Sequence, residues 1–205
     1  IGGGNMATAI IGGLVDQGVP LGDIHVVEPF DRARIRLENQ LGVHSSPAAD
    51  EKLLDCQAVV WAVKPQNFKE AALPVAPFTK HALHLSVAAG IRSDSVARWL
   101  GTQRVARAMP NTPALVGKGM TGLYAGPAVS AADRQQVESL LRPTGELLWL
   151  EHEAQLDAVT ALSGSGPAYV FYFIEAMCKA GVEMGLSYPQ ARHLAVATFT
   201  GAAAQ

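Results

Sequence analysis

Ile1-Gly2-Gly3-Gly4-Asn5-Met6-Ala7 matches the pattern G-x-G-x-x-A through Gly2, Gly4 and Ala7. In this pattern the first glycine permits a tight turn and the second lets the main chain approach phosphate oxygens. The small third residue lets a helix pack closely on a strand. Because a helix N-terminus attracts anions through its free N–H groups and its macrodipole, the whole stretch is predicted to contact the pyrophosphate of a dinucleotide.

The residues that follow support this prediction. Apolar residues at helical spacing run from Ala9 to Val15, and a strand-like run, Ile24–Glu28, comes next. Glu28 stands where an acidic residue accepts hydrogen bonds from the adenosine ribose and repels a 2′-phosphate, which favours NADH. Arg32 and Arg34 lie just beyond and favour NADPH instead. The local chemistry therefore leaves the choice of cofactor open.

The composition narrows the functional class. The chain has 205 residues, of which 49% are hydrophobic and 17% are charged, which is typical of a globular enzyme. A net charge of −2 gives no attraction to nucleic acid or to an anionic membrane. Cys56 and Cys178 fit no metal or redox spacing and suggest the reducing cytoplasm. The most apolar segment, 167–186, carries three charged residues, so no membrane span is expected.

Strand and helix patterns alternate through the first three quarters of the chain, which predicts an α/β fold. The expected architecture is a Rossmann-type N-terminal domain with a parallel-rich sheet, followed by an all-α C-terminal domain. The predicted strands are 24–28, 58–63, 82–87, 104–109, 120–124 and 147–150, and the predicted helices are 31–41, 67–75, 94–100 and 130–141. Asp31 and Ser130 are the expected helix caps, and Gly42 is the expected end of the first of these helices.

After Glu151 only helical patterns remain, at 153–162, 167–185 and 188–205. We therefore predict a dinucleotide-binding domain over residues 1–151 and a helical domain over residues 152–205. A strand is expected before Gly2, where only Ile1 stands, and the last residues continue a helical pattern. We expect both ends to be incomplete.

The helix that starts at Pro167 is too apolar for an ordinary surface helix. Its charges, Glu175, Lys179 and Glu183, are spaced by four and form a single stripe. A surface helix needs only one apolar stripe, whereas most of this circumference is apolar. A second subunit is the natural cover, and burial within one chain is the alternative.

Several segments resemble one family. They are Gly2–Ala7, Ala62-Val63-Lys64-Pro65-Gln66, Ser86-Val87-Ala88-Ala89-Gly90-Ile91, Met109-Pro110-Asn111-Thr112-Pro113 and Leu162-Ser163-Gly164-Ser165-Gly166-Pro167-Ala168-Tyr169. Their order and spacing are similar to those of the pyrroline-5-carboxylate reductases, which carry out the last step of proline biosynthesis. The glycine turn is shared by many dehydrogenases, whereas the last two segments together are much more specific.

The resemblance implies hydride transfer from NADP(H), with NAD(H) possible, to the C=N carbon of a cyclic imino acid. It also implies homodimers that interlock through their C-terminal helices, some of which assemble into decamers. A protonated imine is already electrophilic, so no general acid is expected, and no catalytic acid or base is identified. The expected partners are this small molecule and other copies of the chain, with no nucleic acid and no membrane.

The resemblance and the local chemistry together nominate site residues. Ser163, Gly164, Ser165 and Gly166 precede a helix that Pro167 can start, and are predicted to bind the substrate carboxylate. An ordinary capping turn is the alternative. We expect the end of this helix to face the nucleotide cleft.

Further residues are predicted to line the cofactor cleft because they follow buried strands. They are Val63, Lys64, Pro65, Ala88, Ala89 and Gly90. Pro65 has the alternative role of ending a strand. Asn111 is predicted to hydrogen-bond the carboxamide or the substrate, and the alternative is that its amide satisfies nearby main chain.

Two other readings compete. A β-hydroxyacid dehydrogenase would carry a Lys with Asn four residues later, whereas Lys179 is followed by Glu183. A non-catalytic nucleotide sensor would leave the Ser163–Gly166 turn unexplained. No metal site is predicted, since His81 and His84 alone are near neighbours and are expected at a strand edge.

Overall fold

The six predicted strand segments and Ser45–Ser46, which was not predicted, form seven strands in the first three quarters of the chain. They are β1 (Val26–Val27), β2 (Ser45–Ser46), β3 (Ala58–Trp61), β4 (Leu83–Ser86), β5 (Val105–Met109), β6 (Gly119–Ala125) and β7 (Gly145–Trp149). The last five form one sheet in the order β3-β4-β5-β6-β7. Strands β3, β4 and β5 are parallel, and β6 is antiparallel to β5 but parallel to β7. The parallel-rich Rossmann-like sheet is thus confirmed.

A parallel pair, β1 and β2, forms a second small sheet beside the first. Ile1 and Gly2 lie between the two sheets, because the Gly2 N–H donates to Val27 O and the Ala62 N–H donates to Ile1 O, each at 2.8 Å. A cavity of about 140 Å³ lies at this junction and is lined mainly by apolar residues, including Ile10, Ile24 and Val59. An apolar cavity therefore lies at the join between the sheets.

Helices cover the sheet. They are α1 (Asn5–Asp16), α2 (Asp31–Leu41), α3 (Phe68–Thr79), α4 (Ser93–Leu100), α5 (Ala131–Leu141) and α6 (Gln155–Val159). Helix α2 ends at Gly42, which is left-handed at φ 69°, and α5 begins with a capping box between Ser130 and Asp133, as predicted. The prediction for Asp31 is wrong, because Phe30 holds the cap position and Asp31 is the first helical residue.

Two apolar layers hold the helices on the sheet. On one face Trp61 packs against Phe68, with ring centroids 5.0 Å apart, and both side chains are fully buried. On the other face Leu85, Leu123 and Leu141 are fully buried together. Burial of a large apolar side chain stabilises a fold by about 1.5–3 kcal/mol, so these layers hold the helices firmly on the sheet.

The computed structural model describes every residue from Ile1 to Gln205, in two compact units, Ile1–Gly164 and Ser165–Gln205. The second unit is a hairpin of α7 (Gly166–Glu183) and α8 (Tyr188–Ala203), with no strand after Glu151. Gly181 lets these helices approach closely, since a Cβ there would lie 2.8 Å from the Ala191 Cβ. None of the helices combines the length and apolar character that crossing a membrane requires.

The hairpin leaves an unusual number of large apolar side chains exposed. They are Tyr169, Val170, Phe171, Tyr172, Phe173, Met177, Val182, Met184, Tyr188, Leu194 and Val196. In α7 only Cys178 and Gly181 are buried. The sequence-based expectation of an uncovered apolar helix therefore describes this unit well.

Candidate active site

The glycine turn has the geometry that its sequence requires. Gly2 has φ +91°, and a Cβ there would lie 2.6 Å from the carbonyl oxygen of Ala62. Only glycine fits without strain and without a clash against main chain. At Gly4, by contrast, a Cβ would meet no atom within 4 Å. The turn is thus tight on its inner side at Gly2 and open at Gly4.

The amino end of α1 is suited to an anion. No side chain caps this helix, and no acidic residue lies in its first turn. The first N–H groups of a helix have no partner within the helix, and its dipole favours negative charge there. Asn5 is exposed, Met6 is half-buried and Ala7 is buried, so main chain dominates the surface of the turn. These features fit the pyrophosphate of a dinucleotide.

Glu28 lies under this turn and is only 6% exposed. Its Oε2 accepts a hydrogen bond of 2.7 Å from the Gly3 N–H, and its Oε1 accepts one of 2.9 Å from the Phe30 N–H. Arg36 donates to the Gly3 carbonyl at 2.7 Å. Contact between Glu28 and the adenosine ribose stays a prediction.

The two arginines predicted to favour a 2′-phosphate differ in their freedom. Arg34 is half-buried, donates to the Glu28 carbonyl at 2.8 Å and pairs with Asp31. Arg32 is exposed. Of the two, Arg34 is therefore the one that helps to hold the loop after β1.

The cofactor-cleft residues follow parallel strands that end at one edge of the sheet. Val63, Lys64 and Pro65 follow β3, where Lys64 is exposed and Pro65 opens a short 3-10 turn. Ala88, Ala89 and Gly90 follow β4. The Ser86 Oγ accepts from the Ala88 N–H at 3.3 Å, and Gly90 has φ +72°. The structure brings both segments to the carboxyl edge, where ligands of such sheets bind.

Asn111 connects the loop after β5 to the serine–glycine turn. Its Nδ2 donates to the Ser163 carbonyl at 3.1 Å, and its Oδ1 accepts from the Met120 N–H at 3.0 Å. A Cβ on Gly164 would lie 2.7 Å from the terminal methyl of Met109. Ser163 and Gly164 are therefore held at the same carboxyl edge of the sheet. The alternative role predicted for Asn111, hydrogen bonding to nearby main chain, is observed.

The second half of the serine–glycine turn belongs to the start of α7. Ser165 holds the cap position, but its side chain makes no capping hydrogen bond, and Pro167 lies in the first turn as predicted. The Ser163 hydroxyl donates to the Val159 carbonyl at 3.3 Å. The Ser165 hydroxyl is thus not consumed by capping, while that of Ser163 has a local partner.

A charge pair between the buried Arg107 and the half-buried Glu153 was not predicted from the sequence. Arg107 lies on β5 and pairs with Glu153 at 2.9 Å, while Glu153 accepts from the Ser93 N–H and hydroxyl at 2.5 and 2.8 Å. Burial alone raises the pKa of Glu153, but the hydrogen bonds from Ser93 and Arg107 outweigh it and leave that pKa below its usual value. An arginine inside the apolar run 105–109 was the available signal.

The histidine expectation is wrong for His84. It lies on β4, an interior strand of the sheet, and is fully buried. Trp61 Nε1 donates to its Nδ1 at 3.0 Å, and its Nε2 lies 2.9 Å from the Thr79 carbonyl. Burial lowers its pKa to about 4, so it is neutral at physiological pH. Nowhere do three His, Cys, Asp or Glu side chains gather as a metal site.

Comparison with known proteins places this geometry in a family. Residues 153–205 match the model described as pyrroline-5-carboxylate reductase dimerisation, and residues 1–90 match NADP oxidoreductase coenzyme F420-dependent. The pyrroline-5-carboxylate reductase of Pseudomonas aeruginosa is 46% identical over 205 residues, covering 99% of this chain and 75% of that protein. The chain belongs to the pyrroline-5-carboxylate reductase family. The Escherichia coli enzyme of this name is 39% identical, with 99% and 76% covered.

Solved structures of the family superpose on the chain. The pyrroline-5-carboxylate reductase of Coxiella burnetii has a TM-score of 0.89 and 36% identity, covering 98% of this chain and 76% of that one. The Plasmodium falciparum pyrroline carboxylate reductase, solved with NADP bound, has a TM-score of 0.86 and 27% identity, covering 98% and 74%. Prephenate dehydrogenase of Aquifex aeolicus, at 0.64 and 13% identity, covers 98% of this chain and 86% of that one and shares the fold.

Proposed function

We propose that the Ser163–Gly166 turn of this reductase binds the carboxylate of 1-pyrroline-5-carboxylate while its C=N bond is reduced to give L-proline, the last step of proline biosynthesis. One observation carries the proposal. The Asn111–Ser163 hydrogen bond and the Met109–Gly164 contact hold the front of the turn at the sheet edge where the predicted cofactor residues lie.

The nicotinamide cofactor supplies the hydride when bound. The chain's own part is to bind and orient. The uncapped amino end of α1 and the open side of Gly4 receive the pyrophosphate. Ala88–Gly90 and Val63–Pro65 line the cleft toward the nicotinamide half. NADP(H) is the proposed cofactor, with measurable use of NAD(H).

Substrate recognition at the turn needs no cation. The main-chain N–H of Gly166 at the start of α7 and the Ser165 hydroxyl offer donors to one carboxylate, and the Ser163 hydroxyl joins them when it turns away from the Val159 carbonyl. The imine nitrogen carries its proton before the reaction, so hydride addition to carbon gives the secondary amine without a general acid. A β-hydroxyacid dehydrogenase would use a Lys with Asn four residues later, whereas Lys179 is followed at that distance by Glu183. The arrangement thus favours C=N over C=O reduction.

The helical hairpin is proposed as the homodimer interface, and dimers as the possible building block of a decamer. The exposed apolar side chains of α7 and α8 support this, because an uncovered apolar surface of this extent is typical of association. The match of residues 153–205 to a dimerisation model agrees with it. The proposed location is the cytoplasm.

The proposed functional division is a dinucleotide-binding domain over 1–151 and a substrate-binding and dimerisation domain over 152–205. All nominated cofactor residues lie before residue 151. The compact units divide later, after Gly164, because α6 packs on the sheet. In particular, a Cβ on Gly122 of β6 would lie 2.9 Å from Val159 of α6.

A direct assay tests the proposal. Absorbance loss of NADPH and of NADH is followed with pyrroline-5-carboxylate and, in parallel, with an open-chain 2-keto acid, while absorbance gain from NADP+ and from NAD+ is followed with a 3-hydroxy acid. We expect turnover with the cyclic imine alone. Turnover only with the open-chain acids would reject the proposal in favour of a β-hydroxyacid dehydrogenase, and nucleotide binding that proline does not affect, without turnover, would indicate a sensor.

A further inference from the structure

Glu28 is buried, and both of its oxygens are engaged by main chain. A carboxylate at 6% exposure needs hydrogen-bond donors, and the N–H groups of Gly3 and Phe30 supply them at 2.7 and 2.9 Å. Such charge-assisted bonds are about twice as strong as neutral ones. The carboxylate thus joins the pyrophosphate turn to the loop after β1.

The Gly3 peptide unit is held from its other side as well. Arg36 donates from Nη2 to the Gly3 carbonyl at 2.7 Å. A Cβ at Gly3 would lie 2.8 Å from Leu37 Cδ1 and 3.1 Å from Glu28 Cγ, so the main chain sits directly against these side chains. Gly3 is therefore clamped between an acceptor for its N–H and a donor for its carbonyl.

The clamp also changes the charge that a ribose would meet. Two N–H dipoles point at the Glu28 carboxylate, and the guanidinium groups of Arg34 and Arg36 bind the carbonyls of Glu28 and Gly3. A carboxylate compensated in this way repels a 2′-phosphate much less than a free one does. Glu28 thus stands at the sequence position of an acid that binds the adenosine ribose, but both of its carboxylate oxygens are already hydrogen-bonded to main chain.

We propose that Glu28, together with Arg36, is a positioning residue that orients the pyrophosphate turn, and that it does not discriminate NADH from NADPH. The proposal rests on the proposed function only for the class of ligand, a nicotinamide dinucleotide. Since the two cofactors share the pyrophosphate and differ at the 2′-position, loss of a positioning residue weakens both equally. Loss of a discriminating acid shifts one against the other.

Binding of NADPH and NADH to Glu28→Ala, measured by calorimetry on the purified oligomer without imine, tests this. We expect both dissociation constants to rise about tenfold, with their ratio changed by less than about threefold. A ratio that moves about tenfold or more toward NADPH, or unchanged dissociation constants for both, would overturn the proposal. Glu38→Ala, the same deletion at an exposed glutamate of α2, is the matched control and leaves both constants unchanged.

A second variant keeps the test decisive where Glu28→Ala does not fold. Arg36 is exposed, so Arg36→Met preserves the fold while releasing the Gly3 carbonyl. Equal weakening of both nucleotides supports the clamp, whereas weakening of NADPH alone assigns Arg36 to the 2′-phosphate and overturns it, as does no change. A wild-type protein that binds nucleotide but does not reduce the imine would contradict the proposed function and leave this inference standing.

Discussion

Two glycine-containing turns serve the proposed site, and they are stabilised in opposite ways. The Gly2–Gly4 turn is enclosed by its own unit, with Gly2 against the Ala62 carbonyl and Gly3 on the buried Glu28. The Ser163–Gly166 turn is held at its front by the Asn111 amide and by contact with Met109, and it then enters a helix that buries only Cys178 and Gly181.

The difference shows which parts of the site one copy of the chain builds alone. A buried, clamped turn keeps its geometry in an isolated protomer, because dense packing leaves no alternative arrangement. A turn that continues into an uncovered apolar helix depends on whatever covers that helix. Nucleotide binding should therefore survive changes of assembly that abolish imine reduction.

The largest effect is expected at Gly2. Gly2→Ala places a Cβ at φ +91° and 2.6 Å from main chain, so the free energy of unfolding should fall by about 4 kcal/mol. Gly4→Ala is the matched control, with open space around its Cβ, and it should fold normally while binding NADPH more weakly. Urea denaturation and calorimetry measure the two quantities. Equal stability of both variants would show that the first turn is not enclosed as described.

Low pH should lower the free energy of unfolding of the first unit because it protonates His84. Its pKa is about 4 when folded against 6.5 when unfolded, so the unfolded state binds more protons between these values. Stability is full above pH 6.5 and should fall by about 3 kcal/mol as the pH drops to 4. His84→Gln should flatten the curve in this window, because its amide offers an acceptor and a donor without titrating. A urea series over pH measures this, and an unchanged slope in the variant would contradict the assignment.

The substrate turn is tested at Gly164. Gly164→Asp adds a negative charge where the substrate carboxylate is proposed to bind, so KM for the imine should rise about tenfold or more, with the NADPH dissociation constant nearly unchanged. The new Cβ meets only the flexible end of Met109, which can move. Gly164→Ala is the size control and should have a much smaller effect. Equal loss of both affinities would place the substrate elsewhere.

The smallest effect on the folding of a single protomer is expected at Phe171, which is 61% exposed. Phe171→Glu should change the free energy of unfolding of the monomer by about 0.5 kcal/mol or less, while light scattering shows a loss of dimer. Leu73→Glu, at a 56% exposed leucine of α3, is the control and should leave the dimer intact. A dimer that tolerates Phe171→Glu would remove this residue from the interface.

The patterns that predicted most of this fold are local or periodic. Apolar runs located six of the seven strands, and Gly42 and the Ser130–Asp133 box marked helix ends, because those signals lie within a few residues of what they determine. The polar pair Ser45–Ser46 gave no such signal. Helix α3 runs past its predicted end at residue 75 to Thr79. It contains Pro74 and Pro77, which lie on its solvent side while Ala72, Val75 and Thr79 are buried. Tertiary packing overrode a local signal there.

The missed parts of the site depend on partners distant in the chain. Glu28 was identified as functional from its position, but its bond to Gly3 joins residues 25 apart. The bonds between Arg107 and Glu153 and between Asn111 and Ser163 span 46 and 52 residues. The periodicity of a sequence does not indicate which distant residues contact each other. The sequence can therefore identify candidate residues such as Glu28 and Asn111 but not their hydrogen-bond partners.

The bond between Asn111 and Ser163 has a chemical consequence. Asparagine amides slowly hydrolyse to carboxylates, and here that reaction would replace a donor by an oxygen 3.1 Å from another oxygen. The turn would then lose its only side-chain tether to the loop after β5. Deamidation of Asn111 would therefore release the substrate turn and inactivate the protein as it ages.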